Sequence, residues 1–415
     1  MKKLLIVGLL FFTNHLLLLA QPQKLYFDPA YAIGIPQSRI FDEINYIPLE
    51  TKRESLFGRI NQLIVTEKYF VILDNDTRAI YFFDKKGKFV KKYKNKGYDI
   101  RSIRYDDKRN ALFIAGLNKN FSPFQKDIQA ALDNPVSNSS VKYARAIYYD
   151  LTDVKKEKTE VLKNFDIVLA NPYIFNRNHW VYSYIYANKN WADTQDYELK
   201  VSDGKNTIAT YFPYNRRNSS IYYGNPEKIS FYKSFNDSSL LFTRPFNYTI
   251  YRLSPDTVTE LYTLVLPAAS TIPSTFHSQN FGSRTALEDY KLKNSGFAWG
   301  VENVVDLSRY LFFSLDFFKS FRERNFIFDK KNAQFFNLSK LTADSTNAFL
   351  PVAGYSIQSF DKNYLYSSIS SASMFQNKDA NQKRNPKYDA VVQQYFEKGK
   401  NDDNPVIIVL KPKTN

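Results

Sequence analysis

The sequence of 415 residues contains no cysteine, three histidines, two methionines and 13 glycines. Without cysteine the chain has no disulfide, no thiolate metal ligand and no cysteine nucleophile. His15 lies in the N-terminal apolar stretch, which leaves His179 and His277 as the histidines of the rest of the chain. Two imidazoles are too few for a three-histidine metal site in one chain, so we predict no metal and no cofactor.

Several sequence motifs of enzymes are also missing. The chain has no GxGxxG, no P-loop lysine signature, no GxSxG and no HExxH. The formal net charge of +16 favours anionic partners. Many lysines, however, lie around one hairpin turn between residues 85 and 96, where solvation alone explains them. These absences disfavour an enzyme, and the export signal described next disfavours nucleic acid.

The N-terminus has the pattern of a secretory signal peptide. Lys2 and Lys3 precede an apolar stretch that ends at Ala20. Polar residues 13–15 interrupt it, so we expect no stable membrane span once residues 1–20 are removed. An uncleaved anchor is the alternative. Because no cysteine follows, lipoprotein attachment is excluded, and we predict an exported protein, either periplasmic or at the cell surface or beyond it.

The abundant residues indicate β structure, because aromatic side chains suit half-buried pleated surfaces and 17% of the chain is aromatic. Residues 59–93 predict one complete propeller blade of four antiparallel strands. Its strands are expected at 60–65, 69–73, 79–84 and from 88 onward, with turns at Asp74-Asn75-Asp76 and Lys85-Lys86-Gly87.

The same pattern recurs along residues 21–415 and predicts a single all-β domain, a six-bladed β-propeller with four-stranded antiparallel blades; six is favoured over five or seven. An N-terminal strand at 44–49 is expected beside 405–410, closing the ring. In blade two, 144–151 is expected as the outer strand. Insertions are expected near 118–142 and 267–299, the latter with a short helix at 285–292. A further helix near 386–398 is expected to bury Tyr388, Val391, Val392 and Tyr395 on one face.

Three segments resemble a family of exported bacterial six-bladed β-propeller proteins of uncharacterised function, and residues 59–93 are similar to a blade of the NHL-like propellers. The segments are YIPLETKRESLFGRI (46–60), RPFNYTIYRL (244–253) and NDDNPVIIVLKPK (401–413). The resemblance implies that the opening strand leads into blade one and that the last apolar strand ends the domain. It carries no catalytic residues over to this chain.

The candidate ligand-binding residues are basic and aromatic groups in predicted loops. Arg216 and Arg217 lie near Tyr214, and Arg244 and Tyr248 flank a predicted hairpin turn. Arginines among aromatic rings stack on sugars or bind anions. His277 lies in the second insertion, and loops on a rigid scaffold often carry function. The structural alternative for each is an ordinary solvated loop.

These observations favour an exported binding or scaffold module with a glycan or peptide at the mouth of the central channel. A carbohydrate-active hydrolase or lyase is the alternative, and an envelope protein is a further possible partner. An enzyme should show two or more carboxylates, or a carboxylate with a histidine, in the channel mouth. A binding module should show aromatic rings and arginines there instead. A structural component should show a flat apolar patch on one rim.

Overall fold

A computed structural model describes residues 22–119, 144–162, 172–176, 179–223, 227, 229–234, 239–318, 324–354 and 356–414. The predicted signal peptide and nearly all of the predicted insertion near 118–142 lie outside these residues.

The described residues form six β-sheets, and each contains four antiparallel strands. The strands follow one another in sequence order, except that a strand from the N-terminal part of the chain is added at the outer edge of two sheets. Blade one comprises β3 (Gln62–Val65), β4 (Tyr69–Asp74), β5 (Ala79–Asp84) and β6 (Phe89–Tyr93); blade two comprises β7 (Tyr98–Asp106), β8 (Ala111–Asn118), β9 (Ala144–Asp150) and β10 (Thr159–Leu162); blade three comprises β11 (Tyr173–Asn176), β12 (His179–Tyr182), β13 (Gln195–Ser202) and β14 (Thr207–Asn215). Blade four comprises β15 (Ser230–Lys233), β16 (Leu240–Thr243), β17 (Thr249–Leu253) and β18 (Val258–Val265), extended by β1 (Gln23–Tyr26); blade five comprises β19 (Ala298–Asp306), β20 (Tyr310–Phe317), β21 (Asn325–Asp329) and β22 (Gln334–Asn337); blade six comprises β23 (Ser359–Phe360), β24 (Leu365–Ile369), β25 (Val406–Pro412) and β2 (Phe41–Pro48). The predicted fold class, an all-β six-bladed propeller, is confirmed.

Hydrophobic clusters join each sheet to the next, including the sixth to the first. Aromatic pairs cross five of these interfaces, with ring centroids 5.3 to 6.5 Å apart: Phe82 and Tyr149, Phe113 and Trp180, Phe212 and Tyr251, Phe41 and Phe312, Phe70 and Tyr366. At the remaining interface, between blades four and five, Leu241 and Phe313 belong to one hydrophobic cluster. Burying one such ring stabilises the fold by about 2–3 kcal/mol. The many aromatic side chains of the sequence therefore fill the interfaces between the blades.

Blade six is completed by a strand from the opposite end of the chain. β2 pairs antiparallel with β25, and Ile44 lies opposite Leu410. Pro48 ends β2, which is the outer edge strand of this sheet, where a missing N–H is tolerated. The predicted pairing of an N-terminal strand with the last strand of the domain is confirmed.

An N-terminal arm, residues 22–40, precedes β2 and was not anticipated. Its strand β1 pairs in parallel with the outer strand of blade four. Farther along, isolated bridges join Ile33 to Phe336 and Pro36 to Thr342, beside the outer edge of blade five. The arm therefore runs along the outside of blades four and five before it completes blade six. It covers two sheet edges that would otherwise expose unpaired backbone groups.

Two other predictions need correction. In blade two, 144–151 was expected as the outer strand, but β9 is the third strand and β10 lies outside it. The helix expected near 386–398 spans Ala390–Lys398 (α3), because the Asp389 side chain caps it by accepting from the Val392 N–H at 2.8 Å. Its buried residues are Val392 and Phe396, whereas Val391 is 55% exposed. A shift of the apolar face by about one position produces this difference.

The remaining helices are α1 (Arg284–Lys293), in the second insertion at the position expected, and α2 (Ser371–Asn381), which was not expected. Met374 of α2 and Val392 of α3 join the cluster between blades five and six. None of the helices among the described residues is long and apolar enough to cross a membrane.

Candidate functional site

One end of the propeller carries a cap over blades three to five. In antiparallel blades, the connections from second to third strand and from the last strand to the next blade lie at the same end. The cap consists of four such segments, residues 183–194, 216–223, 244–248 and 266–297. They share a hydrophobic cluster centred on the fully buried Phe276, whose ring lies 5.2 Å from that of Phe246 and 5.5 Å from that of Trp299.

Arg244 is held by a buried carboxylate beneath the cap. Its Nε and Nη2 donate to the two oxygens of Glu198 at 2.8 and 2.9 Å, and its guanidinium lies 3.8 Å from the centre of the Phe212 ring. Tyr222 donates to the same carboxylate at 2.9 Å. Burial alone would lower the pKa of Arg244, but the pairing with Glu198 raises it above its usual range. Arg244 is a permanent cation with a fixed orientation.

Arg216 and Tyr214 belong to a second buried network around Asp196. The Arg216 Nε donates to one oxygen of the Asp196 carboxylate at 2.9 Å, and the Tyr214 hydroxyl donates to the same oxygen at 3.3 Å. The Lys200 ammonium lies 2.7 Å from the other oxygen. Burial raises the pKa of Tyr214 above its usual range. These contacts fix the base of the cap in blade three.

The other predicted site residues have different surroundings. The Tyr248 hydroxyl donates to the Ala298 carbonyl at 2.7 Å and accepts from the Ile272 N–H at 2.8 Å, and burial raises its pKa to about 12. Arg217 is exposed. His277 is on the cap surface, where burial of part of the ring and the nearby Arg244 lower its pKa while Glu198 opposes them. Ligand binding by all six predicted residues stays a prediction.

An acidic cavity of about 70 Å³ lies beside the cap, and the sequence interpretation missed it. Glu227, Glu302 and Asp316 line it together with Arg244 and Lys291. The three carboxylates come from the segment before β15, from β19 and from β20. Within the described residues, no group of three or more acidic or histidine side chains is arranged to hold a metal ion. The carboxylates therefore surround the cavity without meeting at one point.

The surroundings disfavour ionisation of two of these carboxylates. Burial raises the pKa of Glu227, Lys291 opposes the shift and Asp316 adds to it. Burial likewise raises the pKa of Glu302. The negative charge of Asp316 raises this pKa further, Arg324 lowers it, and Glu227 raises it. Like charges close together in a partly desolvated site produce this pattern. A cation brought into the cavity would reduce the repulsion between these carboxylates.

A bulge in β19 follows Glu302, one of the two acidic side chains that blade five contributes to the cavity. The register between β19 and β20 shifts between Glu302 and Val305, and Asn303 has a φ of 51°. The Asn303 N–H donates to the Tyr232 hydroxyl at 3.0 Å and its amide donates to Ser314 at 3.1 Å, which stabilise this conformation. Bulges re-aim side chains and are frequent beside functional sites.

Lys291 of α1 reaches the cavity from the cap. Its ammonium lies 4.7 Å from the centre of the Phe318 ring and 5.2 Å from the rings of Phe246 and Trp299. Aromatic faces attract a cation by about 0.5–2 kcal/mol each, depending on exposure. The rings therefore hold this ammonium at the edge of the cavity.

The acidic cavity lies next to the central channel at the end that carries the cap, and we call it the acidic mouth. The inner strands β15 and β19 contribute Ser230 and Glu302 to it, and their next residues, Phe231 and Asn303, line a cavity of about 260 Å³. That larger cavity is the channel, because residues on or beside the first strands of all six blades line it. Carboxylates thus stand at the mouth, as an enzyme would require, beside an arginine and aromatic rings, as a binding module would require.

Fold and site together define a six-bladed β-propeller with a cap and an acidic channel mouth. A family model described as a 6-bladed beta-propeller matches residues 34–98, from the N-terminal arm to the start of blade two. No curated protein matches the chain.

One solved structure agrees with the fold over nearly its whole length. A protein from Bacteroides fragilis whose name marks it as exported is similar over 95% of this chain and 99% of its own, with 16% identity and a TM-score of 0.63. Two weaker likenesses carry no argument: a protein from Bacteroides vulgatus (9% identity, 90% of this chain and 97% of that one, TM-score 0.44) and an oligogalacturonate lyase in complex with manganese (10%, 86% and 78%, TM-score 0.39). The resemblance to six-bladed propellers is confirmed.

Proposed function

We propose that this protein is an exported binding module whose ligand, a glycan or a peptide, places a protonated amine in the acidic mouth of the channel. Export rests on the predicted signal peptide, and the similarity to an exported protein from Bacteroides fragilis supports it. An amino sugar or a lysine-bearing peptide carries the required group.

The observation that carries this proposal is the set of three carboxylates around a cavity of about 70 Å³. At about 10–15 Å³ for each water, the cavity has room for roughly five waters, which suits a head group better than a sugar ring. An ammonium would donate hydrogen bonds to one or two of the carboxylates, and such charge-assisted bonds contribute roughly 1.5–3 kcal/mol each. The body of the ligand would then extend into the channel.

Calorimetric titration with two matched pairs of probes tests the proposal. We expect glucosamine to bind more tightly than N-acetylglucosamine, or a lysine tripeptide more tightly than its Nε-acetylated form, because acetylation removes the charge. Glu302→Gln should weaken binding of the amine at least about tenfold. Glu260→Gln, on the exposed edge of β18, removes the same charge elsewhere and should leave affinity unchanged. Equal binding of amine and acetylated probes would refute the proposal.

A second candidate function is acid–base hydrolysis or elimination on a glycan, and the raised pKa values of Glu227 and Glu302 favour it. A raised pKa keeps a fraction of one carboxylic acid protonated while a neighbour is ionised, which is the requirement for such a pair. The fold itself gives no support to either function. Incubation with mixed oligosaccharides decides between them: new reducing ends or unsaturated products with the wild type, absent with Glu302→Gln, would establish the enzyme.

A further inference from the structure

The channel interior differs in charge from its mouth. The described residues that line the cavity of about 260 Å³ include the cations Arg104 and Lys233 and no carboxylate. The rest of the lining is aliphatic, aromatic or neutral and polar. The Lys233 ammonium lies 3.1 Å from Asp107, and both side chains are about half exposed, so this pair belongs to the opposite rim. Arg104 is therefore the cation of the interior.

Arg104 is positioned by its neighbours in blades two and three. Its Nε donates to the Pro172 carbonyl at 2.9 Å, and its guanidinium lies 5.0 Å from the centre of the Tyr173 ring. A guanidinium carries five N–H donors in a planar fork, so it can bind an acceptor in the channel in addition to its contacts within the protein. Stacking on a ring fixes the plane of the fork, and a fixed fork suits the two oxygens of an oxyanion.

Gln358 supplies a second polar group in the same lining. Its Oε1 is buried and has no hydrogen-bond partner among the described residues. A buried amide group without a partner costs about 1–3 kcal/mol. The two ends of an amide have nearly the same shape, so the side chain can present either its oxygen to a hydroxyl or its NH₂ to an anion. Either way, a polar ligand in the channel would satisfy it.

We propose that the central channel holds an oxyanion, the carboxylate or phosphate of a small molecule, against the Arg104 guanidinium, with Gln358 as a second contact. Burial lowers the pKa of Arg104, yet the group stays charged at neutral pH. The aliphatic walls and the rings of Tyr173 and Tyr232 suit the carbon skeleton of such a molecule better than a free ion. This subsite is separate from the acidic mouth and does not depend on an amine binding there.

Calorimetric titration with glucuronate, glucose and inorganic phosphate tests this proposal. Glucuronate and glucose differ in one carboxylate, so we expect glucuronate to bind at least about tenfold more tightly. Binding of phosphate with glucuronate would show that the site reads the oxyanion; binding of glucuronate without phosphate would show that it requires a carboxylate on a sugar. Equal binding of glucose and glucuronate, or no binding of either anion, would overturn the proposal.

Variants test the role of Arg104 in this site. Arg104→Gln should reduce glucuronate affinity at least about tenfold, and Arg104→Lys, which keeps the charge and loses the fork, should give an intermediate loss. Melting temperatures of both variants identify any failure to fold, and the wild-type comparison of glucose with glucuronate stands without them. Glu260→Gln, which removes a carboxylate from the exposed part of β18, should leave glucuronate binding within about twofold. Unchanged affinity in a folded Arg104→Gln protein would assign the anion to another site.

Discussion

The N-terminal arm should stabilise the ring through one aromatic side chain. Phe27 is 4% exposed, and its ring lies 4.5 Å from that of Phe335, 4.8 Å from that of Phe326 and 5.6 Å from that of Phe313. Replacing a buried phenylalanine with alanine costs about 3–5 kcal/mol, because apolar burial is lost and a cavity remains. We therefore expect Phe27→Ala to lower the free energy of unfolding by about 4 kcal/mol.

The expected shift in melting temperature follows from the size of the protein. An unfolding entropy of about 2.1 cal/mol/K per residue over about 395 residues gives about 0.8 kcal/mol/K, so about 4 kcal/mol corresponds to a Tm about 5 °C lower. Scanning calorimetry measures it. The neighbouring Tyr26, 72% exposed, provides the control, because Tyr26→Ala should change stability by less than about 0.5 kcal/mol. A Phe27→Ala protein that melts within about 1 °C of Tyr26→Ala would refute the packing of the arm.

Two further predictions concern α3 and the acidic mouth. Val392→Ala should lower the free energy of unfolding, measured by chemical denaturation, by about 1.5–3 kcal/mol because Val392 is buried. Val391→Ala should lower it by less than about 0.5 kcal/mol because Val391 is exposed. Equal losses would contradict the orientation of α3. The folded-state pKa of Glu302 is raised above its usual 4.5, so its ionisation costs stability as the pH rises through that raised value. Glu302→Gln should therefore melt above the wild type at pH 7 and level with it at pH 4, whereas Glu260→Gln should show no such pH-dependent difference.

Blade one shows what the sequence could predict. Its strands were expected at 60–65, 69–73 and 79–84 and lie at 62–65, 69–74 and 79–84. The signals there are local: apolar runs that are buried on both faces, separated by Asx and glycine turns. Asp74 is fully buried and accepts from the Thr77 N–H at 3.0 Å, as a turn residue should.

The arm and the site depend on contacts that no local pattern encodes. One of the four residues of β1 is buried, and such a segment cannot be told from a loop by its sequence pattern. The three carboxylates of the mouth come from separate segments and share no motif. One signal was present: Glu302 is a charge within the largely apolar stretch that forms β19. Likewise Asp196 and Glu198, at alternate positions of β13, marked the partners of Arg216 and Arg244.

The pairing of β2 with β25 has a consequence for the order in which the chain folds. Ile44 is synthesised long before its partner Leu410. Blade six therefore has no outer strand pair until the other five blades have been made, and such distant contacts form slowly because a long loop must close first. The strand-forming segment 41–48 stays available for wrong pairings during that time. Folding of the complete ring thus follows synthesis of all six blades, and a truncation that removes β25 leaves β2 as an aggregation-prone edge.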